Sequence, residues 1–430
     1  MHIYFSGIGG TGIGPLALIA KESGYDISGS DARESKYLDY LKQRGITDIH
    51  VGQSREEIEK VQRAKPIDWF VHSSAISSDH PEFKFCQEND IRISKRDELL
   101  NEILSQKHLK LIAVAGTHGK TTTTAMVVWL MKQLGLRVSY SVGAKIGFGE
   151  MGHYEEGSEY FVYEADEFDR NFLAFHPFYS IVAGVAYDHH EIFPTEEAYR
   201  AAFSEFLAQS QRAILWQEDA KKLNLNQDDE KYTVETYDNS EIEKLSLAGL
   251  YNRRDAWLAV KAVSQIVGPA PQELYDKMNQ FPGVSRRFEK IASNLYTDYA
   301  HTPEKIKGVM SVAKEMAAET GQKIVVVYEP LTNRRMHHTK DQHHDIFAGA
   351  SAIYWVPSFL AREDPDQPVL KPEELIKSLN PELQTIARPM ELNEHLKEAI
   401  KNHLKSGDLV ICLSGGGGGS LDEWLRGQFK

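Results

Sequence analysis

The chain has 430 residues, 41% hydrophobic and 26% charged, an ordinary composition for a soluble globular protein, and at about 150 residues per domain its length predicts about three domains. Forty-nine Lys and Arg against 62 Asp and Glu leave a net charge of −13, which argues against nucleic-acid and anionic-membrane partners, because both need a basic surface. No apolar run approaches the ~20 residues of a membrane span, and residues 1–30 lack an export signal, so a cytoplasmic protein is expected.

The first predicted strand is His2-Ile-Tyr-Phe-Ser6, followed by the loop Gly7-Ile-Gly9-Gly10-Thr11-Gly12 and an amphipathic stretch over 15–23. A second strand over 26–29 ends at Ser30-Asp31, and Trp69-Phe-Val-His72 runs into Ser73-Ser74-Ala75-Ile76. Glycines at 7, 9 and 12 between a strand and a helix let backbone N–H groups approach a diphosphate, and Asp31 supplies the acid at the end of the next strand. That pattern supports NAD, FAD or any nucleotide diphosphate, with a ligand-free tight turn as the bland alternative. Strands alternating with helices at this spacing predict a parallel sheet covered by helices. Cys86 lies far from the only other cysteine, Cys412, so no disulfide framework is defined.

A second segment opens with an apolar strand over 109–115 and the loop Gly116-Thr117-His118-Gly119-Lys120-Thr121, with a helix over 122–134 starting at Thr122. Val114 stands where the full P-loop pattern has its first glycine, yet the working parts remain: a glycine turn, a lysine for phosphates and a hydroxyl for Mg²⁺. Further strands are predicted over 160–164, 179–185 and 213–216, then a polar irregular stretch over 219–247 and a helix over 252–267. Glu164-Ala-Asp166-Glu167-Phe-Asp169 places four carboxylates within six residues, and Asp188-His189-His190-Glu191 follows the strand before it. Such runs are usually solvated. Here they fall at the carboxyl ends of parallel strands, where they could hold the metals that neutralise ATP's phosphates.

The last segment carries Arg286-Arg287, then Asp298-Tyr-Ala-His301-Thr-Pro303 at a strand-to-helix junction. Buried strands are expected over 324–328, 352–356 and 409–413, with helices near 304–318, 373–378 and 391–404. Residues 334–345 hold Arg334, Arg335 and four histidines, read as a basic anion-facing loop. Gly415–Gly419 follows a buried strand and reads as a close-approach loop rather than a linker. The domain boundaries fall near 106 and 284, giving 1–106, 107–284 and 285–430.

Together these residues resemble the Mur ligases, the ATP-dependent amino-acid ligases of peptidoglycan precursor synthesis. The phrases Gly7-Ile-Gly-Gly-Thr-Gly12, Ser28-Gly-Ser-Asp31, Ser73-Ser-Ala-Ile76, Gly116–Thr123 and Glu164-Ala-Asp-Glu-Phe-Asp169 carry the likeness. The resemblance implies an α/β fold of three domains: a Rossmann-like N-terminal domain, a central P-loop ATPase-like parallel-sheet domain and a Rossmann-like C-terminal domain. It implies that Gly9, Gly10, Thr11, Gly12, Ser30, Asp31, Ser73 and Ser74 take the UDP-sugar. Lys120 cradles phosphates with its loop, Thr121 and Glu164 take one magnesium, and His189 a second. Asn252 and Asp255, in Gly249-Leu-Tyr-Asn252-Arg-Arg-Asp255, approach the adenine, Arg287 sits near ATP, and His301 and Arg335 face the carboxylate or incoming amine.

Members adding later residues carry a modified lysine soon after the Asp-His pair; here no lysine lies between His189 and Lys221. The implied reaction is ATP-dependent joining of L-alanine to the carboxylate of UDP-N-acetylmuramate through an acyl phosphate. The alternative is the recycling branch that attaches the L-alanyl-γ-D-glutamyl-diamino acid tripeptide, towards which Glu329-Pro-Leu-Thr-Asn333 and Phe193-Pro194 lean. Ala186, Tyr251 and Asp255 depart from the family pattern. Two other classes compete: an NAD-dependent oxidoreductase, which leaves the 116–121 loop unused, and a non-catalytic nucleotide-binding protein. A monomer or weak homodimer is expected.

Overall fold

The computed structural model describes residues 1–73, 76–189, 192–361 and 363–429. Its backbone divides into two compact units, one of Met1–Leu245 with Asp255–Phe281, the other of Ser246–Arg254 with the chain from Pro282 onward. Among the described residues three sheets form, two in the first unit and one in the second.

The first sheet holds β1 (His2–Ser6), β2 (Asp26–Asp31), β3 (Ile49–Val51), β4 (Trp69–His72) and β5 (Arg92–Lys95), all parallel in the order β3-β2-β1-β4-β5. Every residue of β1 and β4 is buried, as befits strands covered by helices on both faces. The strand order reverses beside β1, so ligands of such a sheet bind outside the carboxyl ends of β1 and β4.

The second sheet holds β6 (Lys110–Ala115), β7 (Val138–Ser141), β8 (Gly152–His153), β9 (Tyr160–Glu164), β10 (Tyr179–Val182), β11 (Arg212–Trp216) and β12 (Tyr232–Glu235). Their order is β12-β11-β10-β6-β9-β7-β8, parallel apart from the β7–β8 pair. Helix Lys120–Gln133 buries Ala125, Met126, Val127, Val128, Leu130 and Met131; each of the Met, Val and Leu side chains contributes roughly 1.5–3 kcal/mol when fully withdrawn from water. The expected irregular stretch over 219–247 is more ordered than its polarity suggests. It contains helix Gln217–Lys222 and strand β12, and the β12 carboxylate of Glu235 accepts from the buried Trp257 indole at 2.8 Å.

The sheet of the second unit holds β13 (Glu289–Ala292), β14 (Leu295–Asp298), β15 (Ile324–Glu329), β16 (Ala350–Trp355), β17 (Ala387–Pro389) and β18 (Leu409–Ser414). The order is β13-β14-β18-β15-β16-β17, with β13 antiparallel to β14 and the other pairs parallel. All six residues of β15 and of β18 are buried. The basic stretch expected as a loop over 334–345 is mostly helical, as Asn333–Thr339 followed by a 3₁₀ turn at Lys340–Gln342. The Thr332 hydroxyl caps that helix on the Arg335 N–H at 3.3 Å. No helix among the described residues is long and apolar enough to cross a membrane.

Candidate active site

At the end of β1 the chain turns at Gly7, where the N–H groups of Gly7 and Ile8 both donate to the Ser30 carbonyl at 2.9 Å. Gly10 N–H donates to the Gly7 carbonyl at 3.0 Å, and Gly9 N–H to Asp31 Oδ2 at 2.8 Å. A Cβ on Gly9 would lie 2.8 Å from that carboxylate oxygen, so a side chain there would displace Asp31 from its hydrogen bond. Thr11 is exposed, and Gly12 faces the Arg96 guanidinium, which lies 3.5 Å from Asp166. Ser73 follows β4 and donates its N–H to the Ser6 carbonyl at 3.3 Å. Ser30 was expected to face a ligand, yet its fully buried hydroxyl donates inward to Glu82 at 2.9 Å. Ser74, and likewise His190 and Glu191, lie outside the described residues.

The second loop leaves β6 between β9 and β10. Gly116 (φ +138°) and Gly119 (φ +77°) adopt left-handed backbone that side chains resist, and a Cβ on Gly116 would lie 3.0 Å from Gly184. The Thr117 hydroxyl donates to the Ala186 carbonyl at 2.7 Å and meets the Tyr199 hydroxyl at 2.7 Å, so position 186 contributes backbone to the loop. His118 lies within the turn, and Thr122 in the first turn of helix Lys120–Gln133.

The Lys120 ammonium reaches the Gly116 carbonyl and Glu167 Oε2, both at 2.6 Å. Burial works against its charge, but Glu167, Asp166 and Glu164 outweigh that and hold it above the ordinary lysine value. The Thr121 hydroxyl donates to Glu164 Oε1 at 2.8 Å, and Gly143 N–H donates to Glu164 Oε2 at 2.7 Å. His189, at φ +57°, places Nε2 3.7 Å from Glu167 Oε1. No group of three or more His, Cys, Asp and Glu among the described residues forms a ready metal cage. The adjoining hydroxyl and carboxylate of Thr121 and Glu164 are hard oxygen donors of the kind magnesium takes beside substrate phosphates.

Asp255 stands in the same unit with its carboxylate against Gly119: a Cβ there would lie 2.8 Å from both oxygens. Burial raises Asp255 to about 7. Asn252 belongs to the other unit, where its amide donates to the Ala248 carbonyl at 2.7 Å.

In the second unit His301 follows β14 and precedes helix Pro303–Thr320. Its Nδ1 lies 2.8 Å from the Tyr299 carbonyl, so Nδ1 carries the hydrogen and Nε2 presents a lone pair. Burial, with the charges of Lys305, Arg335 and Arg287, pushes His301 down to about 3. Three cations around a neutral imidazole suit an anion such as a carboxylate. The Arg286 guanidinium donates to the Ser414 carbonyl at 3.0 Å and the Gly416 carbonyl at 2.7 Å, tying down the glycine loop after β18. A Cβ on Gly415 would lie 2.9 Å from His301 Cβ, so this loop is one of close approach.

The structure thus gathers Lys120, Thr121, Glu164, His189 and Asp255 in one unit and Arg287, His301 and Arg335 in the other. Sequence reasoning missed Glu167 as the lysine's partner and Tyr199 as a support of the loop. The acidic run 164–169 flagged the first, but nothing in sequence marked the second.

Family models match along the chain: the Mur ligase family, catalytic domain, over residues 2–108; the Mur ligase middle domain over 114–262; and the Mur ligase, glutamate ligase domain over 286–416. The chain is 28% identical to the UDP-N-acetylmuramate–L-alanine ligase of Alkaliphilus metalliredigens, over 96% of this chain and 95% of that protein. It is 32% identical to that of Thermotoga neapolitana, over 77% and 76%. The crystal structure of UDP-N-acetylmuramate-alanine ligase from Thermotoga maritima superposes with a TM-score of 0.76 at 25% identity, covering 99% of this chain and 97% of that one.

Proposed function

We propose, from the premise that this chain belongs to the Mur ligase family, a division of labour for its residues in ATP-driven amide formation. The chain is an ATP-dependent ligase that joins L-alanine to UDP-N-acetylmuramate in peptidoglycan precursor synthesis. Residues 1–106 take the UDP-sugar, 107–284 the ATP and 285–430 the amino acid. The observation that carries this assignment is the Lys120 ammonium held 2.6 Å from a fully buried Glu167 at the end of β6.

A carboxylate does not condense with an amine at neutral pH, because oxide would have to leave. Transfer of the γ-phosphoryl group of ATP onto the sugar's carboxylate releases ADP and gives an acyl phosphate; the alanine nitrogen then displaces inorganic phosphate and gives up its proton to that phosphate or to solvent. Bringing two anions together makes the first step an electrostatic problem, which the fixed ammonium of Lys120 and the glycine-loop N–H groups offset. Thr121 and Glu164, with His189 nearby, would hold magnesium, which supplies further positive charge at the phosphates. Arg335 and Lys305 hold the alanine carboxylate, with Arg287 towards the ATP, while the neutral His301 accepts a hydrogen bond from the alanine amine. Excluding water protects the acyl phosphate from hydrolysis. The working compartment is the cytoplasm, where nucleotide-linked precursors and ATP meet, and the enzyme acts as a monomer or weak dimer.

Phosphate release is the direct test: it requires ATP, UDP-N-acetylmuramate and L-alanine together, with a product heavier by one alanine residue. Release that proceeds equally without the sugar nucleotide, or a product bearing a tripeptide in preference to alanine from an equimolar mixture, would contradict the reading.

A further inference from the structure

The chain leaving β10, Ala183-Gly184-Val185-Ala186, carries no polar side chain, yet the 116–121 loop rests on it. Ala183 N–H continues the ladder to the Ala115 carbonyl at 2.9 Å, and Thr117 N–H donates to the Gly184 carbonyl at 2.8 Å. Ala186 N–H donates to the Thr117 hydroxyl at 2.9 Å, and that hydroxyl donates back to the Ala186 carbonyl at 2.7 Å. A Cβ on Gly119 would lie 3.1 Å from Ala183 Cβ. The shape of the loop therefore depends on where these four residues lie.

Among them, Val185 is held from another element. Its N–H donates to Asp219 Oδ1 at 3.2 Å, and its carbonyl accepts from the Lys222 ammonium at 2.8 Å. Lys222 Nζ also meets Asp219 Oδ1 at 2.9 Å. Both side chains come from helix Gln217–Lys222, which follows β11. Asp219 is 1% exposed, and its Oδ2 has no hydrogen-bond partner among the described residues. Burying a carboxylate with a bare oxygen is costly. Burial raises the proton affinity of Asp219, and Lys222 opposes that. The contacts this acid does make both serve one backbone residue.

We propose that Asp219, with Lys222, is a positioning residue of the ATP site: the pair fixes Val185, and the residues on either side of Val185 fix the glycine turn. This rests on the reading that the 116–121 loop takes the phosphates of ATP. Releasing Val185 lets Gly184 and Ala186 shift, and with them the Thr117 backbone and the N–H groups of the turn.

The test uses the full chain and measures binding of a non-hydrolysable ATP analogue, alongside KM for each of the three substrates. Asp219→Ala is expected to weaken the analogue, and to raise KM for ATP, about tenfold; Asp219→Asn, which keeps an acceptor for Val185, does so about threefold. Lys222→Met keeps the aliphatic stem, loses the hold on the carbonyl and weakens ATP about threefold or more. Lys221→Met removes the same charge from the same helix, where the ammonium meets only Gln217 at 3.1 Å, and leaves ATP affinity within about twofold. KM for UDP-N-acetylmuramate and for L-alanine stays level throughout. A purely structural role would instead lower the melting temperature and the active fraction and leave all three KM values alone. Should Asp219→Ala not fold, Asp219→Asn and Lys222→Met decide. Unchanged ATP affinity in both of those, or a Lys221→Met loss equal to that of Lys222→Met, overturns the positioning role alone. Wild type that does not bind the analogue takes down the ATP reading with it.

Discussion

The ammonium of Lys120 and the carboxylate of Glu167 meet at 2.6 Å, with the lysine side chain 15% exposed and the carboxylate 0%. Removing one partner from so buried a pair strands the other charge, so the two substitutions are not equivalent in kind. On the proposed division of labour Lys120→Ala deletes the cation that offsets the repulsion between two anions, and a loss of about 10²–10³ in kcat is expected. Glu167→Gln keeps the cation but frees it from one anchor, so a smaller loss of roughly tenfold is expected, with UDP binding intact in both variants. Phosphate-release kinetics check this. Lys120→Ala turning over at the wild-type rate would remove the lysine from the chemistry.

Asp255 presses on the same loop from helix Leu250–Val267. In the folded chain burial brings its proton uptake to about 7, against 3.8 for the ordinary side chain. Between those values the folded state holds a proton that the unfolded state has released. Stability therefore falls as pH rises from about 4 to about 7, and the loss is complete above that. Asp255→Asn is expected to remove this contribution: its melting temperature gains on that of wild type as pH rises from 5 to about 7, and the gap between them is constant above that. If ATP binds at the 116–121 loop as proposed, it brings negative charge near Gly119 and is expected to bind more weakly to wild type above pH 7 and evenly to the variant. Parallel melting curves would show that Asp255 does not titrate in this range.

Much of the architecture was readable because interior strands announce themselves. The 160–164 prediction coincides with β9, and 324–328 and 409–413 each fall one residue short of a strand buried throughout. Edge strands β3 and β17 have three residues each and only one buried position between them, so no alternation betrays them. Helix Asn333–Thr339 buries only Asn333 and Met336, too little apolar pattern to distinguish it from a charged loop. At the site, the acids of 164–169 were visible as a set. Which of them meets Lys120 depends on the turn through Asp169 and Arg170, both at positive φ, and on the fold of the sheet above it. The environment of Asp255 was invisible, since its neighbour Gly119 is 136 positions away only in sequence.

His301 separates a hydrogen-bonding role from a proton-transferring one. Pushed down to about 3 by burial and by Lys305, Arg335 and Arg287, it is neutral throughout the working range. A group so weakly basic cannot keep a proton taken from an ammonium. The acid limb of the pH–rate profile is therefore expected to be the same in wild type and His301→Asn, with a uniform loss of about tenfold in kcat/KM from the misplaced acceptor. For stability the sign is opposite to that of Asp255: the unfolded histidine binds its proton near 6.5 and the folded one near 3, so stability is lost as pH falls through that window. An acid limb that shifts on substitution would show His301 to be the titrating base.

The glycine loop after β18 gives the sharpest contrast between neighbouring positions. A Cβ on Gly416 would lie 2.6 Å from Ser420 Cβ and 2.7 Å from the Phe359 ring, while the Gly416 carbonyl is fixed by Arg286 at 2.7 Å. Neither neighbour is the free end of a flexible chain, so the backbone must move, at a cost of about 1–3 kcal/mol. At Gly417 the nearest atom is the Phe359 ring edge at 3.9 Å, ordinary van der Waals contact. Gly416→Ala is expected to lower the melting temperature by about 2–4 °C per kcal/mol lost, and Gly417→Ala to leave it nearly unchanged. Because Arg286 and His301 both pack on this loop, Gly416→Ala should also raise KM for L-alanine. Equal melting temperatures for the two variants would mean that the loop is a flexible linker, and that its glycines are there for mobility rather than for close packing.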